Sequence, residues 1–260
     1  MPERFDTVLV TGASSGIGEA LARRLAAQCR TLILTARREE TLNHLAEELA
    51  QAHGVAVHVI PADLARPGSA AALCAAWERL GLTVDLLVNN AGFGKNGLFA
   101  ELPFDIQADM VRLNVNTLVE LTRLVLPAMR RRKRGGVINV ASNAAFQPVP
   151  HLAVYGATKA FVLSFSDAVA EEVASDGVRV MALCPGATAT DFWEVAGMGA
   201  SWINRLPTAD SVAVQGLRAF ERRRRVFVHG GLNKLVTWLV RLGPRRLVAH
   251  IAGRVMGAAR

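Results

Sequence analysis

Short apolar runs alternate with longer helical patterns along most of this chain, and this alternation constrains the fold more than any other feature. Runs such as Val8-Leu9-Val10 are apolar on both faces, which is typical of parallel strands covered by helices on each side of a sheet. The strand-like runs are residues 7–11, 31–35, 55–60, 84–88, 136–140, 178–183 and 226–228, and the helical patterns include residues 17–27, 39–51, 69–80, 106–131 and 154–173. Such β-α-β repetition predicts an α/β fold, a single doubly wound Rossmann-type domain with a mainly parallel sheet and helices on both faces.

The glycine-rich segment after the first strand-like run is typical of a phosphate-binding turn. It reads Thr11-Gly12-Ala13-Ser14-Ser15-Gly16-Ile17-Gly18 and leads directly into a helical pattern. Gly12 would permit the tight turn, Gly16 would let the backbone approach a pyrophosphate, and Gly18 would allow close helix packing. By itself the spacing also fits an ordinary strand-to-helix turn, but its position between a strand and a helix favours a dinucleotide site.

The end of the second strand-like run indicates which dinucleotide is bound. Many dinucleotide sites carry an acid there that binds the ribose hydroxyls, whereas this chain has Arg37 and Arg38. A guanidinium can hold a 2′-phosphate through two hydrogen bonds, so we expect NADP. Solvated surface arginines at the start of a helix are the alternative.

Tyr155 and Lys159 are four residues apart in a helical pattern, so the phenol and the ammonium lie on the same side of the helix. A nearby ammonium stabilises phenolate, so we expect the pKa of Tyr155 to fall from about 10 towards neutrality, where a phenol can give or take a proton. Alone, this spacing is usually that of a surface pair. With Ser142 upstream and the glycine-rich turn, it indicates hydride-transfer chemistry.

In this order, the motifs resemble those of the classical short-chain dehydrogenase/reductase family over roughly residues 7–233. The matching segments are residues 11–18, Asn89-Asn90-Ala91-Gly92, Asn114, Ser142, Tyr155-x-x-x-Lys159 and Pro185-Gly186. The resemblance implies an oxidoreductase that interconverts a ketone or aldehyde and an alcohol, without a metal. The chain departs from the pattern at Ala145, where the family often has glycine, and this leaves the shape of that loop open.

A role for each polar residue of the site is implied by the same resemblance. Tyr155 would be the general acid in carbonyl reduction and the base in alcohol oxidation, while Ser142 would hydrogen-bond the substrate oxygen. Lys159 would hold the nicotinamide ribose, and Asn114 would anchor a water that links Lys159 to solvent. The implied cofactor-binding set is Gly12, Ser14, Ser15, Gly16, Ile17, Gly18, Arg37, Arg38, Asp63 at the adenine, Leu64, Asn90, Ala91, Gly92, Tyr155, Lys159, and Pro185, Gly186 and Thr188 at the nicotinamide.

Residues of about 188–215 fall where the family has its substrate lid. Phe192, Trp193 and Trp202 lie in this stretch and predict a pocket for an apolar ketone or alcohol, although such side chains could simply pack the lid. The alternative function is that of a catalytically silent NADP-binding sensor or scaffold protein. Such a relative would be free to lose Tyr155 or Lys159, so the complete set of four polar residues favours an enzyme.

Basic residues concentrate near the C-terminal end. From Arg218 onward the chain has eleven of its 30 lysine and arginine residues but one of its 22 acids, Glu221. The rest is close to neutral, which argues against nucleic acid as a partner. Beyond residue 231, apolar residues recur at helical spacing beside basic ones, which predicts two short amphipathic helices. They could pack on the lid or on a second subunit, or could contact an anionic membrane, and nucleic acid is the least favoured alternative for this basic segment.

We therefore expect a Rossmann-fold dinucleotide-binding and catalytic domain over residues 1–231 and a basic amphipathic helical extension over residues 232–260. The three cysteines show no paired spacing, which suits a reducing compartment, and the charged first residues do not resemble a signal peptide. These features predict a cytoplasmic protein, associated peripherally with a membrane if the extension binds lipid. The family resemblance implies a homo-oligomer, either a dimer or a tetramer.

Overall fold

The computed structural model describes residues 5–198 and 205–258. Its strands are β1 (Phe5–Thr11), β2 (Cys29–Thr35), β3 (Ala56–Val59), β4 (Leu86–Asn89), β5 (Gly135–Val140), β6 (Val178–Cys184) and β7 (Val226–Val228). All pair in parallel, in the order β3-β2-β1-β4-β5-β6-β7. Each strand expected from the apolar runs is present, and its ends lie within two residues of the expected positions.

Helices connect the strands and cover both faces of the sheet. They are α1 (Gly16–Ala26), α2 (Glu39–His53), α3 (Ser69–Arg79), α4 (Phe104–Val111), α5 (Leu118–Arg132), α6 (Ala153–Glu172), α7 (Phe192–Val195), α8 (Ala209–Glu221), α9 (Gly231–Leu242) and α10 (Arg245–Ala258). The predicted doubly wound α/β architecture is therefore confirmed.

Two hydrophobic cores lie on opposite faces of the sheet, and β1 shows why its sequence is apolar throughout. Val8 and Val10 pack into the core that contains α1, α2 and α8. Leu9 points the other way, into the core that contains α3, α5 and α6. Because successive side chains of a strand face opposite sides, a strand that is covered twice needs apolar residues at every position.

The strand order reverses around β1, which places the candidate site. From β1 the chain proceeds to β2 and β3 on one side, then returns to β4 on the other side. The loops that follow β1 and β4 therefore diverge and leave a crevice at the carboxyl edge of the sheet. Ligands of open α/β sheets bind in crevices of this kind.

The long helix expected over residues 106–131 is not a regular α-helix. A π-helical segment, Arg112–Thr117, separates α4 from α5. The expected stretch is helical throughout, but the π-helical segment was not predicted, since hydrophobic periodicity cannot distinguish five-residue from four-residue hydrogen bonding within one turn. Such segments occur frequently at functional sites, and this one carries Asn114.

Two buried asparagines join the middle strands. Asn89 at the end of β4 and Asn139 in β5 are register partners, and the Asn89 side-chain amide donates to the Asn139 side-chain oxygen at 2.9 Å. The Asn89 amide also donates to the Thr122 hydroxyl at 3.1 Å, and the Asn139 amide donates to the Ser166 hydroxyl at 2.9 Å. This network ties β4 and β5 to α5 and α6 beneath the crevice.

Helices α9 and α10 occupy the two stretches in which amphipathic helices were predicted. The division of the chain into a catalytic domain and an extension stays a prediction. None of the helices in residues 5–198 and 205–258 combines the length and apolar character that crossing a membrane requires.

Candidate active site

A cavity of about 910 Å³ lies at the carboxyl edge of the sheet, between the loops that follow β1, β2, β4, β5 and β6. Ser142, Tyr155 and Lys159 line one end. Most of the predicted cofactor set also lines the cavity, namely Gly12, Ser14, Ser15, Gly16, Ile17, Arg37, Arg38, Asp63, Leu64, Asn90, Ala91, Gly92, Pro185, Gly186 and Thr188. Gly18 and Asn114 stand behind the cavity wall.

The turn after β1 depends on its three glycines for different reasons. Gly12 and Gly16 have φ angles of 65° and 58°, in the left-handed region that other residues rarely adopt. At Gly18 the constraint is space, because an added Cβ would lie 2.2 Å from the Gly12 carbonyl oxygen. The start of α1 consequently rests against the turn, with its N-terminus beside the cavity, where backbone N–H groups favour an anion.

Asn90 holds this turn against the loop that follows β4. Its side-chain amide donates to the carbonyl oxygens of Thr11 at 2.9 Å and of Gly12 at 3.1 Å. In return, the Thr11 hydroxyl accepts hydrogen bonds from the backbone N–H groups of Asn90 and Ala91. The two loops thus form one braced wall, and the absence of a side chain at Gly12 and Gly16, which line the cavity, lets a ligand approach backbone.

The two arginines after β2 behave differently. Arg38 donates to the Ser14 carbonyl oxygen at 3.0 Å and lies 3.8 Å from the Asp191 carboxylate, so its guanidinium already has partners. Arg37 is exposed on the cavity wall, and the described part of the chain offers it no hydrogen bond or ion pair. Asp63 accepts from the Ala65 N–H at 3.1 Å, which shapes the turn at this end of the cavity.

At the opposite end, Ser142, Tyr155 and Lys159 converge from β5 and α6. Ser142 lies two residues beyond the end of β5 in an extended conformation, and its hydroxyl caps the short 3₁₀ helix Asn143–Phe146 by accepting from Ala144 N–H at 3.1 Å. The Lys159 ammonium donates to the Val140 carbonyl oxygen at 2.7 Å and lies 5.8 Å from the centre of the Tyr155 ring. The loop is thus closed by the serine cap, although it carries Ala145 at the position where the family often has glycine.

Burial controls the acidity of these groups. It raises the pKa of Tyr155 to about 12, against the opposing effect of a hydrogen bond with Ser142. It lowers the pKa of Lys159 to about 8, although the nearby Cys184 thiol acts in the other direction. Burial of the phenol therefore opposes the fall in the pKa of Tyr155 that its neighbour Lys159 was expected to cause.

Asn114 braces the loop after β4 against α6. Its side-chain amide donates to the Phe93 carbonyl oxygen at 2.9 Å and to the Thr158 hydroxyl at 3.1 Å, and its side-chain oxygen accepts from the Phe93 N–H. Both amide hydrogens therefore have protein partners. The water-anchoring role stays a prediction. Because both amide hydrogens are already used, a water would have to donate a hydrogen bond to an oxygen atom of Asn114.

A family model of short chain dehydrogenases matches residues 6–198. The chain belongs to the short-chain dehydrogenase family. Individual members of the family are similar to it in sequence and in structure. The granaticin polyketide synthase putative ketoacyl reductase 1 of Streptomyces violaceoruber is 41% identical over 189 residues, which cover 72% of this chain and 69% of that protein.

Two solved structures of similar proteins share the fold. A short-chain dehydrogenase from Sphingobium yanoikuyae in complex with NADPH superimposes with a TM-score of 0.81 and 34% identity, covering 92% of this chain and 94% of that chain. A 7β-hydroxysteroid dehydrogenase gives a TM-score of 0.84 at 28% identity, with 97% and 96% covered.

Several residues that line the cavity of this short-chain dehydrogenase were not predicted from the sequence. The side-chain oxygen of Gln147 is buried without a hydrogen-bond partner in the described residues, on the loop after Ser142. Val255 reaches the cavity from α10, far along the chain. Its position in an apolar stripe was visible in the sequence, but nothing there indicated which surface the stripe would meet.

The predicted lid is described only in part. Phe192 lies in α7, with its ring centre 5.2 Å from that of Tyr155, and Trp193 donates through its indole N–H to the Thr188 carbonyl oxygen at 2.8 Å. Both line the cavity. Trp202 falls outside the described residues. In the ranges described, no group of three or more histidine, cysteine or acidic residues is arranged to hold a metal ion.

Proposed function

We propose that this short-chain dehydrogenase is an NADP-dependent oxidoreductase that interconverts an apolar ketone or aldehyde and an alcohol, with Tyr155 as general acid and base. One observation carries the proposal. Ser142, Tyr155 and Lys159 meet at one end of a single cavity whose other end carries Arg37 and the glycine turn. A dinucleotide laid between those ends would have its nicotinamide beside the three polar side chains.

The cavity wall supports a bound dinucleotide. The positive φ angles of Gly12 and Gly16 and the close packing at Gly18 leave backbone, rather than side chains, at the place where a pyrophosphate meets the start of α1. At Gly92, an added Cβ would lie 2.8 Å from the Asn114 side-chain oxygen, so this part of the wall also has to remain free of a side chain. When bound, the nicotinamide ring supplies or accepts the hydride.

The residues of the chain manage the proton and the substrate oxygen. In carbonyl reduction, the Tyr155 hydroxyl would donate a proton to the oxygen as it gains negative charge. The Ser142 hydroxyl, held just beyond the end of β5, would donate a second hydrogen bond to the same oxygen. The buried Lys159 ammonium would favour the phenolate that remains, and it would also hold the nicotinamide ribose.

Turnover itself tests the proposal against the alternative of a silent NADP-binding sensor or scaffold. We expect purified protein with NADPH to reduce at least one member of a panel of apolar ketones and aldehydes, measured by the loss of NADPH absorbance. The reverse panel, alcohols with NADP⁺, covers the opposite direction. Binding of NADPH without turnover of any compound in either panel would favour the silent alternative.

Arg37 supports NADP over NAD because its guanidinium is exposed at the predicted position of the 2′-phosphate and has no partner among the described residues. The similar protein from Sphingobium yanoikuyae was solved in complex with NADPH. We expect Arg37→Asp to shift the ratio of kcat/KM for NADPH to kcat/KM for NADH by about tenfold or more towards NADH, since a hydrogen bond to a charged group contributes about 1.5–3 kcal/mol.

Arg131→Asp is the matched control for this cofactor preference, because Arg131 is an exposed arginine on α5 outside the cavity lining. It is expected to leave the ratio unchanged. An unchanged ratio in Arg37→Asp would show that the phosphate is held elsewhere.

An apolar substrate is favoured by the side chains around the catalytic end of the cavity. Val149, Leu152, Phe192, Trp193 and Met198 line it there. A pocket of this composition binds apolar groups and uses its few polar atoms to fix their orientation. The names of two similar proteins, a ketoacyl reductase and a hydroxysteroid dehydrogenase, are consistent with such a substrate.

A homo-oligomer is supported by exposed apolar side chains on α4, α5 and α6. Phe104 is 83% exposed, and Val111, Leu124 and Phe161 are each exposed as well. Monomeric proteins seldom leave such side chains grouped on neighbouring helices, so a second copy of the chain is the partner that we propose for this face.

A further inference from the structure

Helix α9 carries its apolar face outward. Leu232, Trp238 and Leu242 are 75%, 59% and 68% exposed, and Leu235 and Leu239 are exposed by about half. An amphipathic helix that packs on its own protein buries its apolar stripe. Here the stripe points away from the described part of the protein, so no described segment buries it.

The inner side of the same helix is polar and is held in place by specific contacts. Thr237 is buried, and Asn233 donates to the His229 carbonyl oxygen at 2.8 Å and accepts from the Asn143 amide at 3.3 Å. An added Cβ at Gly186 would lie 2.2 Å from the Asn233 side chain, so the helix rests closely on the loop after β6. The outward direction of the apolar stripe therefore follows from how α9 is anchored.

Helix α10 extends this surface to the mouth of the cavity. Leu247, Ile251 and Val255 are more than half exposed, and Val255 also lines the cavity. An added Cβ at Gly253 would lie 3.3 Å from the Pro150 side chain, so α10 touches the loop between Ser142 and Tyr155. We call the exposed apolar residues of α9 and α10 the outer face.

The charged side chains that α9 and α10 themselves carry are all of one sign. Residues 231–258 contain Lys234, Arg241, Arg245, Arg246 and Arg254 and no aspartate or glutamate. Basic residues beside an exposed apolar stripe are typical of helices that lie in the interface of an anionic membrane. Two copies of the chain meeting through this face by a two-fold axis would instead bring like charges together.

We propose that the outer face docks the protein on anionic phospholipid bilayers and that a lipophilic carbonyl substrate passes from the lipid into the cavity beside α10. The first half rests on the exposed apolar residues and on the basic side chains that α9 and α10 carry without any acidic one. The second half rests on the proposed function and on Val255, which belongs both to the outer face and to the cavity wall.

Vesicle binding tests the docking. Full-length protein is expected to co-sediment with vesicles of phosphatidylcholine and phosphatidylglycerol at low salt, and to bind far less to phosphatidylcholine alone or at high salt. Because Leu232 and Leu239 are exposed, Leu232→Glu/Leu239→Glu should fold normally and lower the bound fraction at least tenfold. Leu80→Glu/Phe99→Glu, which also changes two exposed apolar residues, is the matched control and should bind as the unmodified protein does.

Two outcomes would overturn the docking. One is the absence of binding to anionic vesicles at low salt. The other is binding that Leu232→Glu/Leu239→Glu leaves unchanged. A third result would identify the outer face as a subunit interface. In that case the unmodified protein does not bind vesicles, and light scattering without lipid gives a smaller particle mass for Leu232→Glu/Leu239→Glu than for the unmodified protein.

Kinetics with two ketones test the passage of substrate from the lipid. For a long-chain ketone dissolved in anionic vesicles, Leu232→Glu/Leu239→Glu should lower kcat/KM at least tenfold, whereas for a short water-soluble ketone it should not change it. Equal effects on both ketones, or none on either, would overturn this half. Vesicle binding by a protein that turns over no ketone would contradict the proposed function and leave the docking supported.

Discussion

Tyr155→Phe is expected to lower kcat by roughly 10²–10⁴ while NADPH affinity stays nearly unchanged, which is the usual loss when a general acid or base is removed. The substitution removes one hydroxyl and keeps the ring that packs against Phe192. Steady-state kinetics and NADPH fluorescence titration measure the two quantities separately. Near-normal turnover by this variant would exclude Tyr155 as the proton donor.

The chain contains a single tyrosine, so the pKa of Tyr155 can be measured directly. Ultraviolet titration of phenolate formation should give a value of about 12 for the protein alone and no signal for Tyr155→Phe. Reduction requires the protonated phenol, which such a pKa maintains across the usual assay range. Oxidation requires phenolate, so its rate should rise with pH, and bound NADP⁺ should lower the pKa through its positive charge.

Lys159→Met is expected to reduce kcat/KM by about 10² or more and, at neutral pH, to make the protein more stable. Burial lowers the pKa of Lys159 from 10.5 to about 8, so keeping its charge inside the protein costs about 3 kcal/mol. Methionine has a similar volume and no charge. Loss of the hydrogen bond to Val140 costs about 1 kcal/mol. The expected net increase in the free energy of unfolding is therefore about 2 kcal/mol.

The pH dependence of this gain has a definite sign. Below pH 8, Lys159 is protonated in both the folded and the unfolded protein, so the full cost is present. Between about pH 8 and 10.5, the folded protein loses the proton first, and the stability of the unmodified protein rises with pH. The difference in Tm between Lys159→Met and the unmodified protein should therefore shrink above pH 8.

Lys234→Met serves as the stability control, because Lys234 is exposed and a surface substitution usually changes stability by less than about 0.5 kcal/mol. A loss of activity in Lys159→Met accompanied by a lower Tm at every pH would indicate that Lys159 is chiefly structural.

The sheet could be predicted from the sequence because its strands are covered on both faces. A run such as Val8-Leu9-Val10 needs no knowledge of its neighbours to be read as a buried parallel strand. The direction of the stripe on α9 could not be predicted in this way, because it depends on Asn233 meeting the loop after β6. Periodicity identifies an apolar stripe, but the contacts on the opposite side of the helix decide where it points.

The candidate site shows the same limit. The positions of Ser142, Tyr155 and Lys159 around one cavity agree with what their spacing indicates. The effect of burial on the pKa of Tyr155 could not be predicted in this way, because a motif specifies which groups are neighbours and not how much water reaches them. The π-helical segment at Asn114 was equally invisible, since it changes hydrogen bonding without changing the pattern of apolar residues.

The pair formed by Asn89 and Asn139 has a consequence for how the chain finds its fold. Neighbouring strands that are apolar at almost every position could align in several ways with similar burial, but a shift of one residue would break the hydrogen bond between the two buried amides, which is costly in a dry interior. Asn90 follows the first asparagine directly, and Ser142 lies three residues beyond the second. By fixing the register of β4 and β5, the pair also fixes the separation between the loop expected to hold the cofactor and the loop expected to hold the substrate.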